Sequence, residues 1–98
     1  MLHIVNKSPT ERSALASCLA HALPGHAVLL IEDAVYAATR GSTAAERLKK
    51  ADGIKFYVLA PDVEARAMSG ALVEGVESVD YKGFVALVAG HPRVQSWL

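Results

Sequence analysis

The unbroken apolar run Ala27-Val28-Leu29-Leu30-Ile31 limits what this chain can fold into more than any other stretch. A run with no polar position marks a strand covered on both faces, the condition typical of a parallel sheet. Parallel neighbours need crossover connections, usually helices, and the rest of the sequence supplies them. Leu2-His3-Ile4-Val5 and Ile54 to Leu59 read as two more strands. Val76-Glu77-Ser78-Val79 alternates, as a strand with one more exposed face does.

Helix signals fill the gaps between these strands. Ser8-Pro9-Thr10-Glu11 combines a serine cap, a proline at the first helical position and a glutamate three residues after the cap. That helix should run to about Leu23, where Pro24-Gly25 stops it. Asp33 can cap a short helix from Ala34 to Arg40, ended by Gly41. Thr43-Ala44-Ala45-Glu46 offers a second capping box, and Lys49-Lys50 complement the C-terminal dipole of the helix it opens. Pro61-Asp62 starts a helix reaching about Met68. Asp80 caps the last one, with Phe84, Leu87 and Val88 on one side, before Gly90-His91-Pro92. The tail from Arg93 to Leu98 carries no assigned element.

Strands alternating with helices predict an α/β fold: a mainly parallel sheet with right-handed crossovers and helices on both faces. The chain of 98 residues predicts one domain, 1–98. Sites in such folds form at the carboxyl ends of the strands. Here those ends are Asn6-Lys7-Ser8, Glu32-Asp33, Ala60-Pro61-Asp62 and Asp80-Tyr81.

Composition narrows the function classes. At 52% hydrophobic residues, the chain holds more apolar side chain than so small a core can hide. The surplus predicts an interface, and so a subunit of an assembly. Ten basic and ten acidic residues cancel, and Lys49-Lys50 is no basic stripe, which argues against a duplex nucleic-acid binder. Met1 is followed at once by a strand-like segment and Asn6-Lys7, so no signal peptide is expected. No apolar run approaches the roughly 20 residues that span a bilayer. The single cysteine cannot form an internal disulfide or, alone, a structural zinc site. These features fit a cytoplasmic protein.

The strand ends hold little recognisable chemistry. No Gly-x-Gly-x-x-Gly or Gly-Lys-Ser/Thr phosphate loop follows the first strand, and no cofactor is expected. Asn6-Lys7-Ser8 can hold an anion at a helix start, or can be a plain cap beside a solvated lysine. Glu32-Asp33 resembles part of a phospho-acceptor pocket, but a capping aspartate explains it more simply. His3, His21, His26 and His91 share no metal-ligand spacing, and the two that flank Pro24-Gly25 read as solvated. Cys18 is the one residue with intrinsic nucleophilic power. It lies near Leu15, Leu19 and Ala22 on the helix wheel, far from the positive end of the dipole, so it reads first as a buried small hydrophobe.

A resemblance runs through the whole chain in order. It starts at Met1-Leu2-His3-Ile4-Val5-Asn6-Lys7-Ser8-Pro9 and continues in Leu29-Leu30-Ile31-Glu32-Asp33-Ala34-Val35-Tyr36-Ala37-Ala38. Tyr57-Val58-Leu59-Ala60-Pro61-Asp62 with Ala65-Arg66, then Val79-Asp80-Tyr81-Lys82-Gly83-Phe84-Val85, and finally Val94-Gln95-Ser96-Trp97-Leu98 carry it to the end. In these stretches the chain resembles the TusB/DsrH family of sulfur-relay subunits.

The resemblance implies a DsrE-like fold and a cytoplasmic heterohexamer with DsrE/TusD-like and DsrF/TusC-like subunits. Such a complex passes persulfide sulfur from a TusA-type donor to a DsrC/TusE-type acceptor. The sulfur serves either dissimilatory sulfur oxidation or 2-thiolation of the tRNA wobble uridine. The family's best-known persulfide cysteine sits on the DsrE/TusD partner, which leaves this chain's own enzymatic part open. Cys18 matches a cysteine of DsrH members from sulfur oxidisers, which tilts the expectation to that branch and makes Cys18 a persulfide candidate. A rival reading, a small-molecule binding module of flavodoxin-like architecture, lacks the phosphate loop it would need.

Overall fold

Ala27–Leu30 forms β2, and it lies at the centre of the sheet, as four fully buried apolar residues require. The computed structural model describes residues 1–9 and 14–97. Around β2 stand β1 (Leu2–Val5), β3 (Lys55–Leu59), β4 (Val76–Val79) and β5 (Val94–Trp97), in the order β4-β3-β2-β1-β5. Every pairing is parallel, with Leu2 beside both Ala27 and Val94, and Phe56 beside both Val28 and Val76.

This order decides where the helices go. From β1 to β4 each step moves one strand in the same direction, so right-handed crossovers keep their connections on one face. That face carries α1 (Ala14–His21), a 3₁₀ segment (Glu32–Ala38), α2 (Thr43–Lys50) and α3 (Ala60–Ala65). From β4 the chain returns past β3, β2 and β1 to the far edge, which puts α4 (Tyr81–Gly90) on the opposite face.

The first face holds most of the core. Val5, Val28, Leu30 and Val58 from the strands meet Leu15, Cys18, Val35, Leu48 and Val63 from the helical segments. Burying one such side chain contributes about 1.5–3 kcal/mol. On the other face the buried cluster is small, Leu2, Ala27 and Leu29, with Ile4, Tyr57, Val79, Phe84 and Leu87 half-buried around it.

Several local expectations shift. Thr10–Ser13 lie outside the described residues; Ser8 and Pro9, the expected cap and first helical position, stand in a loop and a turn, and α1 is described from Ala14. The cap of α2 is Ser42 rather than Thr43: its Oγ accepts from the Ala45 N–H at 3.1 Å, which moves the helix start back by one residue. The 3₁₀ segment starts at Glu32 with the apolar Ile31 at its cap position, so Asp33 lies inside the segment and accepts from Arg66 instead of capping. Asp80 caps α4 as the sequence implies, its Oδ1 accepting from Gly83 N–H at 2.7 Å. A Cβ on Gly83 would sit 2.9 Å from Val79 Cβ, so glycine lets α4 start hard against β4. Val88, expected on the packed side of α4, is exposed. The tail is a fifth strand, overlooked because Val94-Gln95-Ser96-Trp97 has no clear alternation and is ordered by pairing with β1.

Candidate functional site

Two strand ends are tied together by one arginine. Arg66, just past α3, donates through Nε (3.0 Å) and Nη2 (2.9 Å) to Asp33 Oδ1, and through Nη1 (3.1 Å) to the Asp62 carbonyl. Asp62 Oδ2 accepts from the Glu32 N–H at 2.7 Å, and Asp62 Oδ1 stands 4.0 Å from Arg66 Nη1. Glu32 has φ of 50°, a left-handed conformation unusual for a glutamate, and the Asp62 bond holds it there. The result is a braced rim joining the ends of β2 and β3. Asp62 and Arg66 are four residues apart, a spacing legible in sequence; their link to Asp33 is not.

At the end of β1, Asn6 is half-buried and its Oδ1 is enclosed without a hydrogen-bond partner. An open groove of ≈ 610 Å³ runs beside this loop, lined by Ser8, Pro9, Tyr36, Ser42, Thr43, Ala44 and Arg47. Among the described residues no three His, Cys, Asp or Glu side chains gather as a metal-ligand set.

Cys18 lies under the sheet, on α1. It is fully buried in the main core with Leu15, Val5 and Val28, and burial pushes its thiol up to about 12. At neutral pH such a thiol is almost wholly protonated, and the thiolate is the form that attacks.

The histidines are where sequence spacing misled most. His3, buried on β1, meets His26, which sits just before β2, with His3 Nε2 and His26 Nδ1 3.0 Å apart. Trp97 of β5 donates from Nε1 to His3 Nδ1 at 3.0 Å, and the His21 ring lies 5.3 Å from that of Trp97. These residues lie as far apart as positions 3 and 97, so only the pairing of β5 with β1 unites them.

The outer surface of α4 is apolar. Tyr81 (63% exposed), Val85 (65%) and Val88 (37%) follow one another at helical spacing, and Val94 of β5 (41%) faces the same side of the sheet as Leu2. No helix among the described residues is long and apolar enough to cross a membrane.

Comparison with known proteins places this architecture. Among solved structures, the Escherichia coli YchN protein superposes with a TM-score of 0.77, covering 97% of both chains at 19% identity. A Methanobacterium thermoautotrophicum protein of unknown function gives 0.74, covering 97% of this chain and 95% of the other at 17% identity. At such identities the likeness concerns the fold. In sequence, Protein TusB of Pectobacterium parmentieri is 37% identical over 97 residues, spanning 99% of this chain and 100% of that protein. Protein TusB of Escherichia coli is 36% identical over 99 residues, with the same coverage of 99% and 100%. The family model described as "DsrH like protein" matches residues 7–94, and with full-length relatives on the same footing the chain belongs to the TusB/DsrH family.

Proposed function

We propose that this chain is a TusB-type subunit of a sulfur-relay complex that serves 2-thiolation of the tRNA wobble uridine, and that it shapes the complex without carrying sulfur. The observation that carries this reading is the burial of its only thiol. In persulfide transfer an acceptor thiolate attacks the outer sulfur and the donor cysteine leaves as a thiolate, so two accessible thiols must meet. Cys18 offers neither access nor charge. Both thiols then belong to other proteins: a DsrE/TusD-like subunit loaded by a TusA-type donor, and a DsrC/TusE-type acceptor.

The relatives support this branch. The position of Cys18 tilted the expectation toward dissimilatory sulfur oxidation, whereas the full-length relatives are TusB proteins and favour tRNA thiolation. The apolar stripe Tyr81, Val85 and Val88 supports the assembly reading, since a neighbour covering it would complete the thin second core. In this reading residues 1–98 act as one DsrE-like domain within a cytoplasmic heterohexamer that also holds a DsrF/TusC-like subunit.

Two experiments test it. In the complex rebuilt with its sister subunits, the folded Cys18→Ser variant keeps most sulfur transfer, and mass spectrometry after loading with persulfidated carrier finds no added sulfur on Cys18. Sulfur on Cys18, with turnover lost in the variant, would make this chain a carrier. Expressed in a strain lacking its own TusB together with the sister subunits, the chain restores 2-thiouridine in tRNA. Failure there, with coupling to sulfite reductase instead, would return it to the oxidation branch.

A further inference from the structure

The chain of rings His26–His3–Trp97 leaves no choice of proton positions. An indole nitrogen only donates, so His3 Nδ1 must accept from Trp97 Nε1. A neutral imidazole accepting at Nδ1 carries its proton on Nε2, and that proton points at His26 Nδ1. His26 Nδ1 also accepts from the Leu23 N–H at 3.2 Å, so it too must be bare. The arrangement holds together only while both imidazoles are neutral.

It also joins three parts of the fold. His3 is on β1, His26 ends the turn after α1, and Trp97 belongs to β5, an edge strand with three of its four residues exposed. Among the described residues, the charged groups that act on His3 are cationic or potentially so: His26 from the turn, the amino terminus from the start of its own strand, and His21 from the end of α1. Beta5 contributes Trp97, which is uncharged.

We propose that the His26–His3–Trp97 chain is a proton-released latch on the C-terminal strand: protonating His3 sets an N–H against the indole N–H, expels the Trp97 ring and loosens the β5 edge. The proton enters at Nδ1, the nitrogen that Trp97 occupies, so the new donor faces a group that cannot accept. Burial, then the charge of a protonated His26, the amino terminus and His21, hold the His3 pKa below 6.5. The latch therefore stays closed at neutral pH and opens only as the pH falls below the ordinary histidine range.

Trp97 is the only tryptophan, so its fluorescence reads the latch directly. Titrating the full-length chain from pH 8 to 5 should shift its emission to longer wavelength in one reversible step centred below pH 6.5, with the far-UV circular dichroism unchanged. Nitrogen-15 spectra above that step should show His3 as the Nε2–H tautomer. In His3→Asn the side-chain carbonyl still accepts from the indole but cannot titrate, so the step should vanish. If that variant fails to fold, His26→Asn serves instead: it keeps an acceptor for His3 but removes the opposing charge, so the midpoint should rise. Flat emission in the wild-type chain would overturn the proposal. So would a step unchanged in His3→Asn, an unmoved midpoint in His26→Asn, an Nδ1–H tautomer, or loss of the dichroism together with the fluorescence.

Discussion

On one face of the sheet Val5, Val28, Leu30 and Val58 lie under α1, the 3₁₀ segment, α2 and α3; on the other, Leu2, Ala27 and Leu29 lie under α4 alone. The strands themselves carry apolar side chains toward both sides. The difference lies in cover, and it comes from strand order: successive crossovers stack on one face and only the return from β4 to β5 crosses the other. Alpha4 has no fully buried residue, while its outward Tyr81 and Val85 are apolar and exposed. A face with apolar strands below and an apolar helix surface above is the one that the proposed assembly would cover.

The comparison breaks if the covered face is not the one that holds the chain together. Leu30→Ala removes a fully buried side chain from that face, and should cost about 2–5 kcal/mol in chemical denaturation. A loss under 1 kcal/mol would mean that the helices there pack loosely.

Cys18 sharpens the same point. With its thiol held near 12 against an ordinary value of 9.0, native alkylation at pH 8 should run on the order of a thousandfold slower than in urea. The sign for stability follows from the raised pKa: the contribution is fully present below pH 9.0 and is lost as pH rises toward about 12. Wild type should therefore lose stability relative to Cys18→Ser across that window. Fast alkylation of the folded chain would show that this face opens.

Asp80→Ala removes the cap of α4 and should cost about 1 kcal/mol, by thermal melting of the isolated chain. Val85→Glu is the smallest change for the chain alone, within about 0.5 kcal/mol, because the residue is exposed. Yet it should disrupt co-elution with the sister subunits. If Val85→Glu leaves the complex intact, the second face is not where a partner sits.

Periodic and terminal signals made much of the fold readable from sequence. The run through β2, the Pro24-Gly25 stop, the Asp80 cap and the apolar setting of Cys18 are each written in a few adjacent residues, and local physics decides them. Beta5 escaped notice because Val94-Gln95-Ser96-Trp97 is a strand only by virtue of the β1 edge beside it. Asp33 looked like a cap because Arg66, its partner, lies 33 residues away. His26 looked solvated for the same reason, since His3, which it meets, lies 23 residues away. Sequence alone determined which segments are apolar enough to be strands and helices, because burial is a property of each side chain. Only the tertiary structure decided which face stays open and which polar groups meet, because both depend on the order in which the strands lie side by side.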